Sequence, residues 1–224
     1  MSSRRGFVAQ LGRVASLGAL GSLLVSTTVG AEQPASDELP PGDWDLSWLN
    51  QLKSATDRGV FDWSAMETPP EATPLDYAAR YLDGCDAVYG NTASARAVLV
   101  IRHLAVAASL NDSAWNRYAI GEDAKVNDPA TQRPALRNPF WGDASHDKDA
   151  PPSLQDVIGR GAIILVCNLA LTHLASRLAR AHGEDPAAVQ KTLASALVPH
   201  AYLVPSGIWG LVRAQNAGCG LMRA

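Results

Sequence analysis

The chain has 224 residues, of which 47% are apolar and 18% charged, with a formal net charge of −3 at pH 7. This length suits one well-packed domain, and the apolar content excludes a globally disordered chain. The mild acidity argues against nucleic acid as a partner.

The first 31 residues have the layout of a twin-arginine export leader. Arg4 and Arg5 precede a modestly apolar stretch, residues 14–29, and small residues up to Ala31 offer a cleavage site. A transmembrane anchor is the alternative, but the short apolar core and its Gly and Ser content disfavour it. We therefore expect cleavage near Ala31 and a periplasmic protein without membrane contact after cleavage. Residues 1–31 hold three of the 19 basic residues and no acidic one, so the rest of the chain carries a formal charge of −6.

A segment rich in Pro, Ser and acids, residues 32–42, predicts a flexible tether before a single domain over residues 43–224. The domain opens with a Trp- and Leu-rich stretch, residues 43–53, that fits a short packed helix or an interface arm. Residues 58–63 predict a short strand. Thr73 as cap and Pro74 in the first turn then predict a helix over residues 74–89.

The apolar run at residues 97–101 predicts a second buried strand, which ends at Arg102-His103. A helix is predicted over residues 104–118. Residues 121–150 are too rich in Pro, Asp and Asn for regular structure and longer than an ordinary connection. We expect part of this loop to pack down through Phe140 and Trp141. Its candidate anion ligands are Arg133, Arg137 and His146, with an ordinary solvated loop as the alternative.

The stretch Arg160 to Arg180 predicts a strand, a corner and a helix. Residues 162–166 are an unbroken apolar run, Cys167-Asn168 forms the turn, and apolar residues recur at helical spacing from Leu169. A short helix capped by Ser153 precedes this unit. After it we predict a helix opened by Asp185-Pro186, a strand over residues 201–204, a helix over residues 207–216 and an edge strand over residues 220–223.

Strands that alternate with helices predict an α/β fold: a single doubly wound, mostly parallel sheet with helices on both faces. Right-handed crossovers place the ends of the strands before His103 and Cys167 at the same edge of the sheet. Ligands bind at this edge in open α/β sheets, and a helix N-terminus favours a thiolate. Cys167 is therefore a candidate reactive thiol, although a buried structural cysteine is equally consistent with its position.

The chain has three cysteines, so at least one thiol stays unpaired in an oxidising compartment. Cys85 is predicted to lie in the core, on the apolar face of its helix. A metal site formed by His103, His146 and Cys167 is the weaker possibility, because no close His/Cys spacing supports it. A serine hydrolase of the α/β type is disfavoured, since no G-x-S-x-G motif occurs.

The second half of the chain, with its strand ending in Cys167-Asn168 and the closing sequence LVPSGIWGLVRAQNAGCGLM, resembles the DsrE/DsrF-like family of small α/β domains. The blocks VLVIRH, NDSAWNRYAIGE and NDPATQRPALRNP, together with the leader, are most similar to its exported branch. The resemblance implies a homo-oligomer in which Cys167 stands at the position of the family's sulfur-carrying cysteine. It covers the chain from about residue 43 onward.

Two functions follow as hypotheses. The first is an exported thiol protein that binds or transfers reduced sulfur as a persulfide through Cys167, with His103 and Asn168 contacting the substrate. Its partners would be a small sulfur species or the thiol of another protein, and no cofactor or metal is expected. The second is a non-catalytic periplasmic ligand-binding or assembly module in which Cys167 is buried. Accessibility of the Cys167 thiol separates the two.

Overall fold

A five-stranded, all-parallel sheet forms the centre of the domain, so the predicted α/β fold with a single parallel sheet is confirmed. The computed structural model describes residues 42, 44–66, 73–90, 95–142 and 151–223. The strand order is β4-β3-β2-β1-β5. The strands are β1 (Asp57–Trp63), β2 (Ala95–Ile101), β3 (Ile163–Cys167), β4 (Ala201–Val204) and β5 (Gly220–Arg223). The predicted tether, residues 32–42, and the leader lie almost wholly outside the described residues.

Helices connect the strands. They are α1 (Trp48–Lys53), α2 (Pro74–Tyr89), α3 (Asp112–Arg117), α4 (Ile120–Asp123), α5 (Leu154–Gly159), α6 (Asn168–His182), α7 (Pro186–Ser195) and α8 (Gly207–Asn216), with a 3-10 helix at His103–Ser109. The segment rich in Trp and Leu before β1 thus contains a short packed helix, in which Trp48 and Leu52 are fully buried. The predicted strands and helices after residue 152 all form.

The helices divide between the two faces of the sheet. Strands β1 to β4 follow one another in one direction across the sheet, and the core on the face of their connections includes Leu82 of α2, Trp115 of α3 and Leu171 of α6. The chain then returns from β4 to β5 through α8, which packs with α1 on the opposite face through Leu211 and Trp48. This division follows from right-handed crossovers that first run one way and then reverse.

The local signals at the ends of the helices act as the sequence predicts. The Thr73 hydroxyl accepts from the amide of Asp76, and the Asp76 carboxylate accepts from the amide of Thr73, which forms a capping box at the start of α2. Helix α6 ends at Gly183, whose φ of +67° is the left-handed conformation that favours glycine. These contacts fix where α2 begins and α6 ends.

The predicted helix over residues 104–118 is wrong. The chain forms the 3-10 helix, then an extended Leu110, and then α3, which Asn111 caps by accepting from the amide of Ala114. Leu110 forms a β-bridge with Leu197, and the amide of Asn111 donates to the carbonyl of Ala196. These tertiary hydrogen bonds hold the backbone extended at the position where a continuous helix would pass.

The described part of the predicted long loop, residues 121–142, contains the end of the one-turn α4 and otherwise no helix or strand. As predicted, it packs down: Phe140 is 3% exposed and lies edge-on to Trp63, with ring centroids 5.3 Å apart. The buried Asn138 amide anchors it by donating to the carbonyls of Ala108 and Leu110 at 2.8 and 2.7 Å. The loop therefore forms part of the core beside β1.

Candidate functional site

The carboxyl ends of all five strands lie at one edge of the sheet, because parallel strands share a direction. Ile101 pairs with Val166 and Cys167 pairs with Val204, so the ends of β2, β3 and β4 are level. Strand β3 continues into α6 on one face, whereas β4 continues into α8 on the other. In open α/β sheets, this divergence of neighbouring connections leaves the crevice that binds ligands. Cys167 lies where the two connections diverge.

Cys167 is the last residue of β3 and the N-cap of the 15-residue helix α6. Its Sγ atom accepts a hydrogen bond from the amide of Ala170 at 3.4 Å. The sulfur therefore lies at the N-terminus of the helix, against one of its unpaired amides. The residue is 6% exposed, so a reagent reaches the sulfur only through a narrow opening or after a small local movement.

An ion pair joins the ends of β1 and β2 beside this corner. The Arg102 guanidinium donates from Nε to Asp62 Oδ1 at 2.7 Å and from Nη2 to Asp62 Oδ2 at 2.8 Å. The Asp62 side chain is 6% exposed and the Arg102 side chain 22% exposed. The hydrogen bond to Asp62 raises the pKa of Arg102, and the negative charges of Asp62 and Cys167 raise it further, against the opposing effect of burial. Arg102 is therefore a fixed cation within the electrostatic range of the Cys167 sulfur.

The start of α8 completes this edge. Ser206 caps the helix by accepting from the amide of Trp209 at 3.1 Å. A Cβ atom at Gly207 would lie 2.6 Å from Cβ and 2.7 Å from Cδ of Arg102. Only glycine allows the helix to approach the arginine stem this closely. Gly207 therefore confines the side chain of Arg102 from the face of the sheet on which α8 packs.

The two predicted substrate-binding residues lie next to this edge. His103 is exposed, directly follows Arg102 and has a φ of +53°, a left-handed conformation that turns the chain from β2 into the 3-10 helix. Asn168 is 5% exposed, and its Oδ1 accepts from Gln190 Nε2 of α7 at 3.3 Å. The Gln190 amide also donates to the Thr172 hydroxyl at 2.9 Å, so Asn168 is tied to the packing of α6 against α7. Both assignments stay predictions.

The loop residues predicted to bind an anion do not form a cluster in the described structure. Arg133 is exposed, and Arg137 is 85% exposed with its Nε 3.9 Å from Asp112 Oδ2. His146 lies outside the described residues. The described loop therefore contributes the buried anchors Asn138 and Phe140 and an exposed surface, and these two arginines lie on that surface.

The other two cysteines lie toward the end of the sheet where the strands begin, opposite the carboxyl ends. Cys85 is in the last turns of α2, and Cys219 immediately precedes β5. They are 7% and 6% exposed, and burial raises the pKa of Cys219 to about 11, with the charge of Arg58 opposing the shift. The predicted core position of Cys85 is confirmed. Neither thiol caps a helix.

Within the described ranges, no three His, Cys, Asp or Glu side chains are close enough to hold a metal ion. A groove of about 560 Å³ lies between α1 and the last turns of α8, lined among others by Leu46, Asn50 and Arg213. It is on the amino-end side of the sheet, away from Cys167.

In the part of the chain that the structure describes, no helix has the length and apolarity to cross a membrane.

Sequence patterns did not predict the Asp62–Arg102 pair. The available signals were an acidic residue within an apolar strand, RGVFDW, and an arginine directly after another, AVLVIR. A carboxylate in a buried strand needs a partner, so these two features together could have suggested a pair.

Comparison with known proteins adds little to this site. No family model matches the chain, and no curated protein matches it. Among solved structures, the chain is similar to MTH1491, a protein of unknown function from Methanobacterium thermoautotrophicum, with 15% sequence identity and a TM-score of 0.37. The alignment covers 75% of this chain and 99% of that one.

Proposed function

We propose that this protein is an exported sulfur carrier of the DsrE/DsrF-like type, which accepts sulfane sulfur on Cys167 and passes it to a second thiol. The observation that carries this proposal is the position of the Cys167 sulfur: it caps α6 at the carboxyl end of β3, beside the end of the strand that Arg102 follows. Neither Cys85 nor Cys219 combines a helix cap with a place at the carboxyl edge. We infer that His103 and Asn168 contact the bound sulfur species.

The transfer needs no external oxidant or reductant. The Cys167 thiolate attacks the outer sulfur of a persulfide R–S–SH, a new sulfur–sulfur bond forms at Cys167, and the bond to R–S breaks. The donor leaves as the thiolate R–S⁻ with the electron pair, and the proton stays on the outer sulfur. Attack by an acceptor thiolate on the Cys167 persulfide reverses the same exchange. The helix end stabilises Cys167 both as the attacking thiolate and as the leaving thiolate.

The test is intact-mass measurement of the mature chain after incubation with glutathione persulfide. We expect a gain of one sulfur atom, removed by dithiothreitol and absent from Cys167→Ser. Cys85→Ser is the matched control and retains the adduct, because this thiol lies within α2 in the core. An adduct that survives in Cys167→Ser, or no adduct in the native protein, contradicts the carrier function.

A ligand-binding or assembly module is the second candidate, favoured by the 6% exposure of Cys167. In that case native Cys167 stays unmodified by iodoacetamide until the chain unfolds. The carrier function predicts that Cys167 is alkylated in the folded protein before Cys219, whose pKa of about 11 keeps it a neutral thiol at pH 7.

Export and self-association belong to the same proposal. N-terminal sequencing of the secreted protein is expected to begin near Glu32, and retention of residues 14–29 would refute the leader. A homo-oligomer is supported by exposed apolar side chains on α8 and on the edge strand β5: Ile208 is 58% exposed, Val212 49% and Met222 50%. Light scattering on the mature chain should give more than the monomer mass, and a strict monomer at micromolar concentration contradicts it.

A further inference from the structure

The Asp62–Arg102 pair is open to solvent on one side only. Asp62 accepts from Nε and Nη2 of Arg102, and its side chain is 6% exposed, whereas that of Arg102 is 22% exposed. No acceptor for Nη1 of Arg102 exists among the residues that the structure describes. The Asp62 carboxylate is therefore buried, whereas hydrogen-bond donors of the Arg102 guanidinium are free for another anion.

Arg102 and Cys167 lie at the ends of two paired strands. Ile101 pairs with Val166, so the next residues, Arg102 and Cys167, follow on neighbouring strands at the same level. Gly207 confines the arginine stem, since a Cβ atom there would come within 2.6 Å of it. Asp62 and Gly207 thus hold a cation in a single position at the end of β2, the strand that pairs with the one ending in Cys167.

We propose that Arg102 makes the Cys167 corner selective for anionic sulfur compounds over neutral ones, and that Gly207 is a positioning residue that holds Arg102 in place. This inference rests on the proposed carrier function. The favoured donors are persulfides that carry a carboxylate or sulfonate close to the reacting sulfur. Such a group can accept a hydrogen bond from Nη1 while the Cys167 sulfur attacks the neighbouring atom.

The experiment compares two alkylating reagents of nearly the same size, iodoacetate, an anion, and iodoacetamide, which is neutral. Each transfers its carbon to the Cys167 thiolate and releases iodide. The measured quantity is the ratio of the two rates at Cys167, divided by the same ratio for N-acetylcysteine. Attraction between the Arg102 charge and the anionic reagent in a partly screened site predicts about a fivefold enrichment for iodoacetate at low salt. Salt at 1 M should abolish most of it, since the screening length is then about 3 Å.

Charge variants separate selection from a merely structural role. Arg102→Gln is expected to lower the ratio about fivefold, to that of the free thiol, whereas Arg102→Lys keeps most of it. Asp62→Asn removes the competing carboxylate and keeps or increases the ratio. Because Arg102→Gln leaves a buried carboxylate unpaired, the double variant Asp62→Asn/Arg102→Gln repeats the test without that charge. A loss of packing alone would change both rates together and leave their ratio unchanged.

Arg177→Gln is the matched control. Arg177 binds Asp123 with the same two-pronged geometry, at 3.0 and 2.6 Å, but it lies nine residues further along α6 than Asn168. It should leave the ratio unchanged. If Cys167 reacts with both reagents and Arg102→Gln or the double variant keeps the wild-type ratio, the selectivity inference fails and the carrier function stands. If Cys167 reacts with neither reagent before unfolding, both fail.

Discussion

Asp62→Asn tests whether the ion pair beside Cys167 stabilises the fold. In the native protein, both carboxylate oxygens of Asp62 accept from Arg102, at 2.7 and 2.8 Å. The variant keeps one oxygen that can accept, and its NH₂ group replaces the other. One charge-assisted hydrogen bond is lost, which is worth about 1.5–3 kcal/mol, and the guanidinium loses its counter-charge. Since the Arg102 side chain is 22% exposed, it can recover part of its hydration. We expect a net loss of about 2 kcal/mol in the free energy of unfolding, below the 3–5 kcal/mol of a fully buried pair.

Asp123→Asn is the matched control for this prediction. Asp123 accepts from Arg177 with the same two-pronged geometry, but the two side chains are 23% and 50% exposed. Exposed pairs contribute about 0–1 kcal/mol and are screened by salt. Burial therefore predicts a larger effect for the pair at the carboxyl edge of the sheet than for the pair between α4 and α6.

Urea unfolding followed by circular dichroism measures both variants. With a slope of about 2 kcal/mol per molar urea, Asp62→Asn should lower the midpoint by about 1 M, against a few tenths for Asp123→Asn. At about 1 M NaCl the effect of Asp123→Asn should vanish, and most of the effect of Asp62→Asn should remain. Equal effects of the two variants at low salt would refute the argument that burial makes the Asp62–Arg102 pair the stronger one.

Three further predictions concern other parts of the chain. Gly121→Ala should lower the free energy of unfolding by about 1–3 kcal/mol, since its Cβ would lie 2.3 Å from the backbone of Ala135. Gly84 has open space around it in α2, so Gly84→Ala should raise the free energy of unfolding by up to about 1 kcal/mol in the same urea assay. The pKa of Cys219 is about 8.5 in the unfolded chain and about 11 in the folded protein. The stability that this thiol contributes is therefore present below pH 8.5 and is lost as the pH rises through 11. Cys219→Ala should flatten that part of the plot of stability against pH, and an unchanged slope would contradict the prediction. Replacing Arg4 and Arg5 together by Lys should abolish export in a fractionation assay while the purified domain keeps its circular dichroism spectrum.

Local sequence signals predicted most helices and strands because their causes lie within a few residues. The apolar run before Cys167 can be buried only as a strand within the sheet. The change to helical spacing at Leu169 marks the start of α6. Gly183 ends that helix through its own backbone conformation. The position of Cys167 at the end of a strand and at the start of a helix therefore follows from the sequence.

The failed helix over residues 104–118 has a cause that no local signal contains. Residues 105–109 are buried on all sides, so their spacing does not distinguish a helix from another buried conformation. The conformation of this segment is decided by the β-bridge between Leu110 and Leu197, which holds Leu110 extended. These two residues are 87 positions apart in the chain.

The sequence by itself determined the class of the fold, the order of its elements and the edge on which Cys167 lies, because hydrophobic periodicity and capping residues act over one or two turns of chain. Only the tertiary structure decided what surrounds that cysteine. Asp62 and Arg102 are separated by 40 positions and meet because β1 and β2 pair with Trp63 opposite Ile101. Gly207 reaches Arg102 because α8 returns across the far face of the sheet. Strand register and the direction of a crossover are set by burying the whole core at once, so pairs that depend on them are decided only when the chain packs.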